Sequence, residues 1–303
     1  MSRRNCRGAW RTGRFACWLG EFVAARALPE QCHGLGDPAH HATDAGLTGN
    51  PYAVMLARLA LTLAYLGYVD QARSRLNEAF SEAHRLKYAQ TLGDVLVLAN
   101  WIEVITCSPE IQRHSEELLG LSTEHGLQSC LGYAIVFRGL SLTACGQAQE
   151  GLTLGTRGLV ALRATGAVLN TSRALVLLAE RYAMIGQPIE GLHCLAEAAQ
   201  IIEMTEERHS EAELHRLRGD LLNAIGDRAV AEQSYHEALA VAKRQSARTL
   251  ELRTATSLAR LWRDRGKRTE ARDLLAPIYG WFTEVGFDTP VRQGAKAALD
   301  QLA

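Results

Sequence analysis

Between Ala231 and Ala242, small and aromatic residues return at three- and four-residue steps: Ala231, Tyr235, Ala238, Ala242. That spacing puts them on one face of an α-helix. Just upstream, Gly219 and Leu222 lead to Gly226 in the phase of a second helix. A glycine at Gly226 ends that helix at low cost, because it takes a left-handed backbone without a Cβ clash. The pattern predicts a helical hairpin.

The hairpin recurs. Steps of 40 residues from Gly226 reach Gly266 on one side and Gly186 and Gly146 on the other. A second series runs Gly126, Gly166, Glu206, Ser246 and Gly286. The flanking slots match too. Ala259, Trp262, Gly266, Ala271, Leu275 and Ile278 form the following unit. Ala179, Tyr182, Gly186, Gly191, Leu195 and Ala198 form the preceding one. Gly139, Leu142, Gly146, Gly151, Gly155 and Gly158 fill the same slots earlier, with unusually many glycines. Ala60, Leu63, Gly67, Ala72, Leu76 and Ala79 match near the start, offset by one residue. Small slots let antiparallel helices approach closely, and Tyr235 and Trp262 fill the gaps between neighbouring pairs.

Boundary residues agree with this phase. Asn50-Pro51, Thr289-Pro290 and Ser108-Pro109-Glu110 each set a capping side chain before a first-turn proline. Pro188 opens a second helix, whereas Pro277 falls inside one and predicts a kink or break. The expected fold is all-α: a right-handed α-solenoid of six hairpins and a capping helix over 290–302. The units lie near 50–86, 87–126, 127–166, 167–206, 207–246 and 247–286. One hairpin cannot bury its apolar face alone, but stacked neighbours can.

Composition narrows the function. Thirty-three basic residues balance 33 acidic ones, which leaves no electrostatic footprint for nucleic acid or an anionic membrane. The most apolar run, Ala53 to Val69, contains Arg58 and is shorter than the roughly 20 residues of a membrane span. Seven cysteines, an odd number without a CxxC, suit reduced thiols in a cytoplasmic protein. Cys107, Cys130, Cys145 and Cys194 sit among apolar residues and read as inert packing.

The slot pattern resembles the tetratricopeptide repeat, with a period of 40 against about 34 in the standard unit. It looks like the variant repeat of large bacterial signalling ATPases and of transcription activators of the maltose-regulon type. EAELHRLRGDLL, TLELRTATSLARLW and ARDLLAPIYGWFTEVGFDTP are similar to a narrower group. That group is the carboxy-terminal repeat region of bacterial proteins in which an adenylate/guanylate cyclase domain or another effector precedes an AAA-type ATPase. LGYVDQARSRLNEAF resembles earlier repeats of the same region, and the resemblance covers about Asp37 to Ala303. The sequence has no GxxxxGK[ST] phosphate loop and no recognisable pair of metal-binding aspartates. Only the repeat module carries over.

Residues 1–36 differ from the rest, with six arginines, two acids and three of the seven cysteines. This basic leader is expected to be a disordered segment or a misassigned start that replaced the family's preceding sequence.

Catalytic chemistry finds no anchor. His209 and His215 are six apart, whereas a zinc helix of the HExxH kind needs histidines four apart, so both read as solvated helix face. Arg218-Gly219-Asp220 is a helix with a small slot rather than an adhesion motif. His40-His41 has no partner ligand in view. There is no GxSxG elbow, and no cofactor or metal is expected.

A surface is the better candidate. In tetratricopeptide arrays the first helix of each unit lines a concave groove. That face would carry Arg173 and Glu180, then Glu213, Arg216, Asp220 and Asn223, then Arg253, Arg260 and Arg263. Tyr133, Val136 and Leu140 would make its early part apolar. Arginines so presented could clamp a carboxylate or phosphate.

The expected function is therefore non-catalytic. The chain is read as an interaction module of a bacterial signal-transduction protein, binding a protein or peptide segment such as a cognate ATPase or cyclase domain. A small-molecule sensor of an ATPase-type transcription regulator is the alternative, and an enzyme fragment a distant third. An uncapped amino-terminal end would expose a stacking face and gives a reason to expect homo-oligomers.

Overall fold

The computed structural model describes residues 15–33, 51–166, 170–285 and 288–302. Among these, every regular element is helical. A short turn of helix over residues 15–18 leads into α1 (Phe22–His33). Six hairpins follow. They are α2 (Pro51–Leu66) with α3 (Val69–Leu86), α4 (Ala89–Thr106) with α5 (Ile111–Glu124), and α6 (Gln128–Ala144) with α7 (Ala148–Ala164). Then come α8 (Thr171–Met184) with α9 (Pro188–Thr205), α10 (Glu211–Ala224) with α11 (Arg228–Arg244), and α12 (Arg248–Arg263) with α13 (Arg268–Val285). The final helix is α14 (Pro290–Asp300). The architecture is an all-α solenoid of consecutive helical pairs.

The slots do what their sizes dictate. A Cβ on Gly139 would lie 2.5 Å from the Gly151 carbonyl oxygen, and one on Gly158 would lie 2.6 Å from the Val136 nitrogen. The α6–α7 hairpin thus packs backbone on backbone, which explains its surplus of glycine. At Gly219 the neighbour is instead the Tyr235 ring, which fills the small slot. The left-handed turn residues also follow the two series. Glycines take positive φ at Gly226 and its 40-residue relatives, while Glu206 (φ 57°) and Ser246 (φ 56°) do the same without glycine's freedom.

Pro188 opens α9, and Thr289 caps α14 by accepting a hydrogen bond from the Arg292 amide at 3.2 Å. Val291, Ala295 and Ala298 of α14 are buried against the last hairpin. The break expected at Pro277 does not occur, since α13 runs unbroken from Arg268 to Val285.

The array closes on itself. The first helices α2, α4, α6, α8, α10 and α12 pack in sequence, and α12 returns to α2 and α4. Thr249 donates to the Ala64 carbonyl at 2.6 Å, and Arg253 donates to the Val104 carbonyl at 3.3 Å. Trp281 of α13 meets Tyr68 edge to face at 5.7 Å. This explains why α2 is apolar on nearly all sides: a helix buried all round has no polar face to keep.

The leader contributes to the same body. Phe22 is fully buried and stacks on Tyr65 with ring centroids 4.2 Å apart. Ala16, Cys17 and Ala25 are buried as well. The stacking face expected to be bare at the amino-terminal end is covered by α1 on one side and by α12 on another. The physical reason is that ring closure brings α12 back onto α2.

Candidate functional site

The ring of first helices surrounds an interior face, and this face divides in two. The late half, on α8, α10 and α12, carries charge. Arg216 donates to both oxygens of Glu213 at 3.0 and 2.5 Å and to Asp220 at 2.5 Å. Arg253 reaches Glu213 at 2.8 Å, and Glu180 lies 3.9 Å from Arg253 and 4.0 Å from Arg216. The Tyr235 hydroxyl donates to Asp220 at 2.7 Å. Burial alone would raise the Glu213 carboxyl, but Arg216 and Arg253 outweigh it and hold its pKa below the ordinary value. Burial likewise works against the Arg216 charge, and Glu213 and Asp220 outweigh it, lifting its pKa. Each charge here answers another.

The early half, on α2, α4, α6 and the start of α8, holds a cavity of about 300 Å³. Arg58 of α2, Asp94 and Trp101 of α4, Tyr133 of α6, Asn170, and Arg173 of α8 line it. Cys17 and Trp18 of the leader form one wall, and His209 of the turn before α10 adds to the lining. Trp18 lies under the Arg58 guanidinium at 5.7 Å. Asn170 donates to the Tyr133 hydroxyl at 3.1 Å. Arg173 is only 6% exposed and lies over the Trp101 ring at 3.7 Å and the Tyr65 ring at 5.8 Å. Burial lowers the Arg173 pKa and raises that of Asp94. Burial also raises the Cys130 thiol, with Asp94 adding to it, to about 11.

Of the residues predicted for the groove, Arg173, Glu180, Glu213, Arg216, Asp220 and Arg253 do share the interior face. Arg216 is no free clamp, because its carboxylate partners already occupy it. Asn223 is half-buried at the end of α10, outside this network. Arg260 and Arg263 turn to the cap instead, towards the Gly294 carbonyl at 3.5 Å and the Gln301 side chain. Tyr133 lines the cavity, while Val136 is buried against Gly158 of α7 and Leu140 is buried. The early half is therefore not simply apolar.

Other sequence expectations need correction. His209 is 2% exposed and sits on the short 3₁₀ turn Arg208–Ser210, which tucks it into the hub rather than onto a solvated helix. His215 is half-buried, with Nδ1 3.1 Å from Glu237. Cys130 is buried, but Cys107 and Cys145 are exposed at helix ends. Gly219 lies inside α10, as a packing slot demands. His40-His41 lies outside the described residues. Among the described residues no group of three or more His, Cys, Asp or Glu could hold a metal ion. None of the described helices is long and apolar enough to cross a membrane.

Arg58 and Asp94 carried a signal that went unused. Arg58 is the one charge in PYAVMLARLALTLAYL, and Asp94 is one of two, with Glu103, in the otherwise apolar AQTLGDVLVLANWIEVIT. A charge in such a helix must face an interior polar site, because no solvated face exists for it.

Two solved structures have the same arrangement of helices. A Rap protein complexed with competence and sporulation factor matches over 92% of this chain and 78% of its own, with a TM-score of 0.62 and 15% identity. The apo form of RapI matches over 97% of this chain and 98% of its own, with a TM-score of 0.57 and 11% identity. What they share with this chain is the fold. No protein-family model and no curated protein matches the sequence.

Proposed function

We propose that the chain is a non-catalytic regulatory module of a bacterial signal-transduction protein, which binds a segment of a partner protein on its interior face. The observation that carries this reading is the closed ring of first helices, which presents residues from every repeat unit to one enclosed face. A face of that kind reads an extended segment through many small contacts rather than through one reactive group. The complex of a Rap protein with competence and sporulation factor supports it, since the same fold there accommodates a bound factor. A cognate ATPase or cyclase domain is the partner suggested by the repeat sequences.

Site-specific photocross-linking tests the reading. A benzophenone side chain at Val97, on the cavity wall, is expected to capture one polypeptide in the source cells. The same group at Val160, 61% exposed on the outer helix α7, should not. Capture from Val160 alone would place the partner on the outside and sink the proposal.

A second reading has its own support. The cavity size lies at the lower end of the range for small-molecule sites, about 300–1,000 Å³, and its walls mix aromatic faces with a few charges. That favours a sensor of a small ligand.

A further inference from the structure

Arg173 has an unusual position for an arginine. It is 94% buried, and among the described residues no hydrogen bond or ion pair reaches its guanidinium. Buried guanidinium groups normally end on carboxylates, because an uncompensated charge in the interior is costly. Glu207, the carboxylate whose charge acts on Arg173, is hydrogen-bonded elsewhere. Both its oxygens accept from the Asn170 amide at 2.9 Å, and one lies 3.3 Å from the Ser172 hydroxyl. Arg173 instead keeps aromatic rings at its faces and borders the cavity.

The rest of the lining fits an acid. Arg58 is a second guanidinium on the same cavity, and Asp94 is the carboxylate set against the two. Trp18, Trp101 and Tyr133 supply flat apolar walls. Guanidinium donors and aromatic faces on one cavity suit a compact molecule with a carboxylate head and an apolar body.

We propose that this cavity binds a small organic carboxylate, its head held by Arg173 and Arg58 and its apolar body against the Trp18, Trp101 and Tyr133 walls. The proposal deepens the ligand-sensing reading and rests on it.

Calorimetry and thermal melting of the full chain test it with defined probes: 4-methylpentanoate, 3-phenylpropionate, their primary amides, leucine and phenylalanine. The acids are expected to bind and raise the melting temperature by mass action, and the amides to do neither. Arg173→Met should weaken binding by more than about thirty-fold, the scale for truncating one partner of a buried charge pair. If that variant does not fold, Arg58→Gln decides, since its side chain is only half-buried. It should retain helical circular dichroism and bind the acids more weakly. The amino acids separate two sources of the same head group. Tighter binding of phenylalanine than of 3-phenylpropionate places an ammonium on Asp94, and the reverse order assigns the site to simple acids. Equal affinity for acids and amides, or undiminished acid binding in folded Arg58→Gln or Arg173→Met, would overturn the proposal. Amides alone raising the melting temperature would keep a sensor and remove the carboxylate. No response to any acid overturns it outright and leaves the cross-linking test of a protein partner unaffected.

Discussion

The two halves of the interior face use the same residue types to opposite ends. Around Arg216, a buried guanidinium and the half-buried Arg253 meet half-buried carboxylates, with donor–acceptor distances of 2.5 to 3.0 Å. Around Arg173, a guanidinium of equal burial meets aromatic rings and open space. Burial penalises the charge in both places. In the first, neighbouring carboxylates more than offset it. In the second, no carboxylate among the described residues bonds to the guanidinium, and burial prevails. A saturated network serves the fold, since it tethers α8, α10 and α12 where the ring closes. An unsaturated one keeps binding capacity in reserve. The lesson is that an arginine on a groove face says little until its partners are known.

The largest test of this contrast compares two like substitutions. Arg216→Met leaves Glu213 to Arg253 and Asp220 to Tyr235, and should cost about 3 kcal/mol, the low end for breaking a buried pair from one side. Arg173→Met removes a charge without a hydrogen-bonded partner, so its cost should stay below about 1 kcal/mol, set by lost ring contacts. Urea unfolding of both variants reads the difference directly. Equal losses would erase the distinction between the halves.

A second test uses the carboxylates. Glu213 has a folded pKa below its ordinary 4.5. Its stabilisation is therefore fully present above that value and is lost as pH falls through the folded pKa. Asp94 is shifted the other way, raised from 3.8 by burial. Its stabilisation is present below 3.8 and is lost as pH rises through the folded pKa, so at neutral pH its charge opposes folding. Glu213→Gln should lower stability at pH 7 by about 2 kcal/mol, the scale of a charge-assisted hydrogen bond, and the deficit should shrink on acidification. Asp94→Asn should raise the urea midpoint at pH 7 and leave it unchanged near pH 3. Two variants moving the same way at pH 7 would show that the cavity carboxylate is as well paired as the network one.

The contrast also shows what a sequence can disclose. The hairpins, their turns and the cap were legible because packing slots repeat every 40 residues, and a repeated error is improbable. Gly139, Gly158 and Gly219 were legible as close-approach positions for the same reason. Ring closure was not, because the Thr249–Ala64 bond joins residues 185 apart and has no periodic signature. With closure hidden, the charged face looked like an open groove. Arg260 and Arg263 were then assigned to it although the cap claims them. His209 was misplaced because a helix was extended back over the 3₁₀ turn that aims it inward. The charges Arg58 and Asp94 were visible throughout, but their meaning depends on knowing that α2 and α4 are enclosed.

The smallest effect concerns that histidine, which stands between the two halves. His209 shares a pocket with Tyr65, Arg173, Glu213 and Arg253, and its Nδ1 is 3.9 Å from Glu207. Burial drives its pKa well below 6.5, and the Arg173 charge pushes in the same direction. The folded state therefore keeps the ring neutral, while the unfolded chain takes up a proton below pH 6.5. Its contribution is fully present above that pH and is lost as pH falls, with a limiting slope of about 1.4 kcal/mol per pH unit for one proton. Glu207, raised by burial, moves oppositely, so the informative quantity is the difference between two proteins that both retain it. His209→Leu should remove that slope between pH 6.5 and 5 while folding normally at pH 7.5. An unchanged slope would mean that the ring is protonated in place, with Glu207 as its counter-ion. The hub would then hold one more cation beside Arg173, and the cavity would gain a charge at acidic pH rather than a cost to folding.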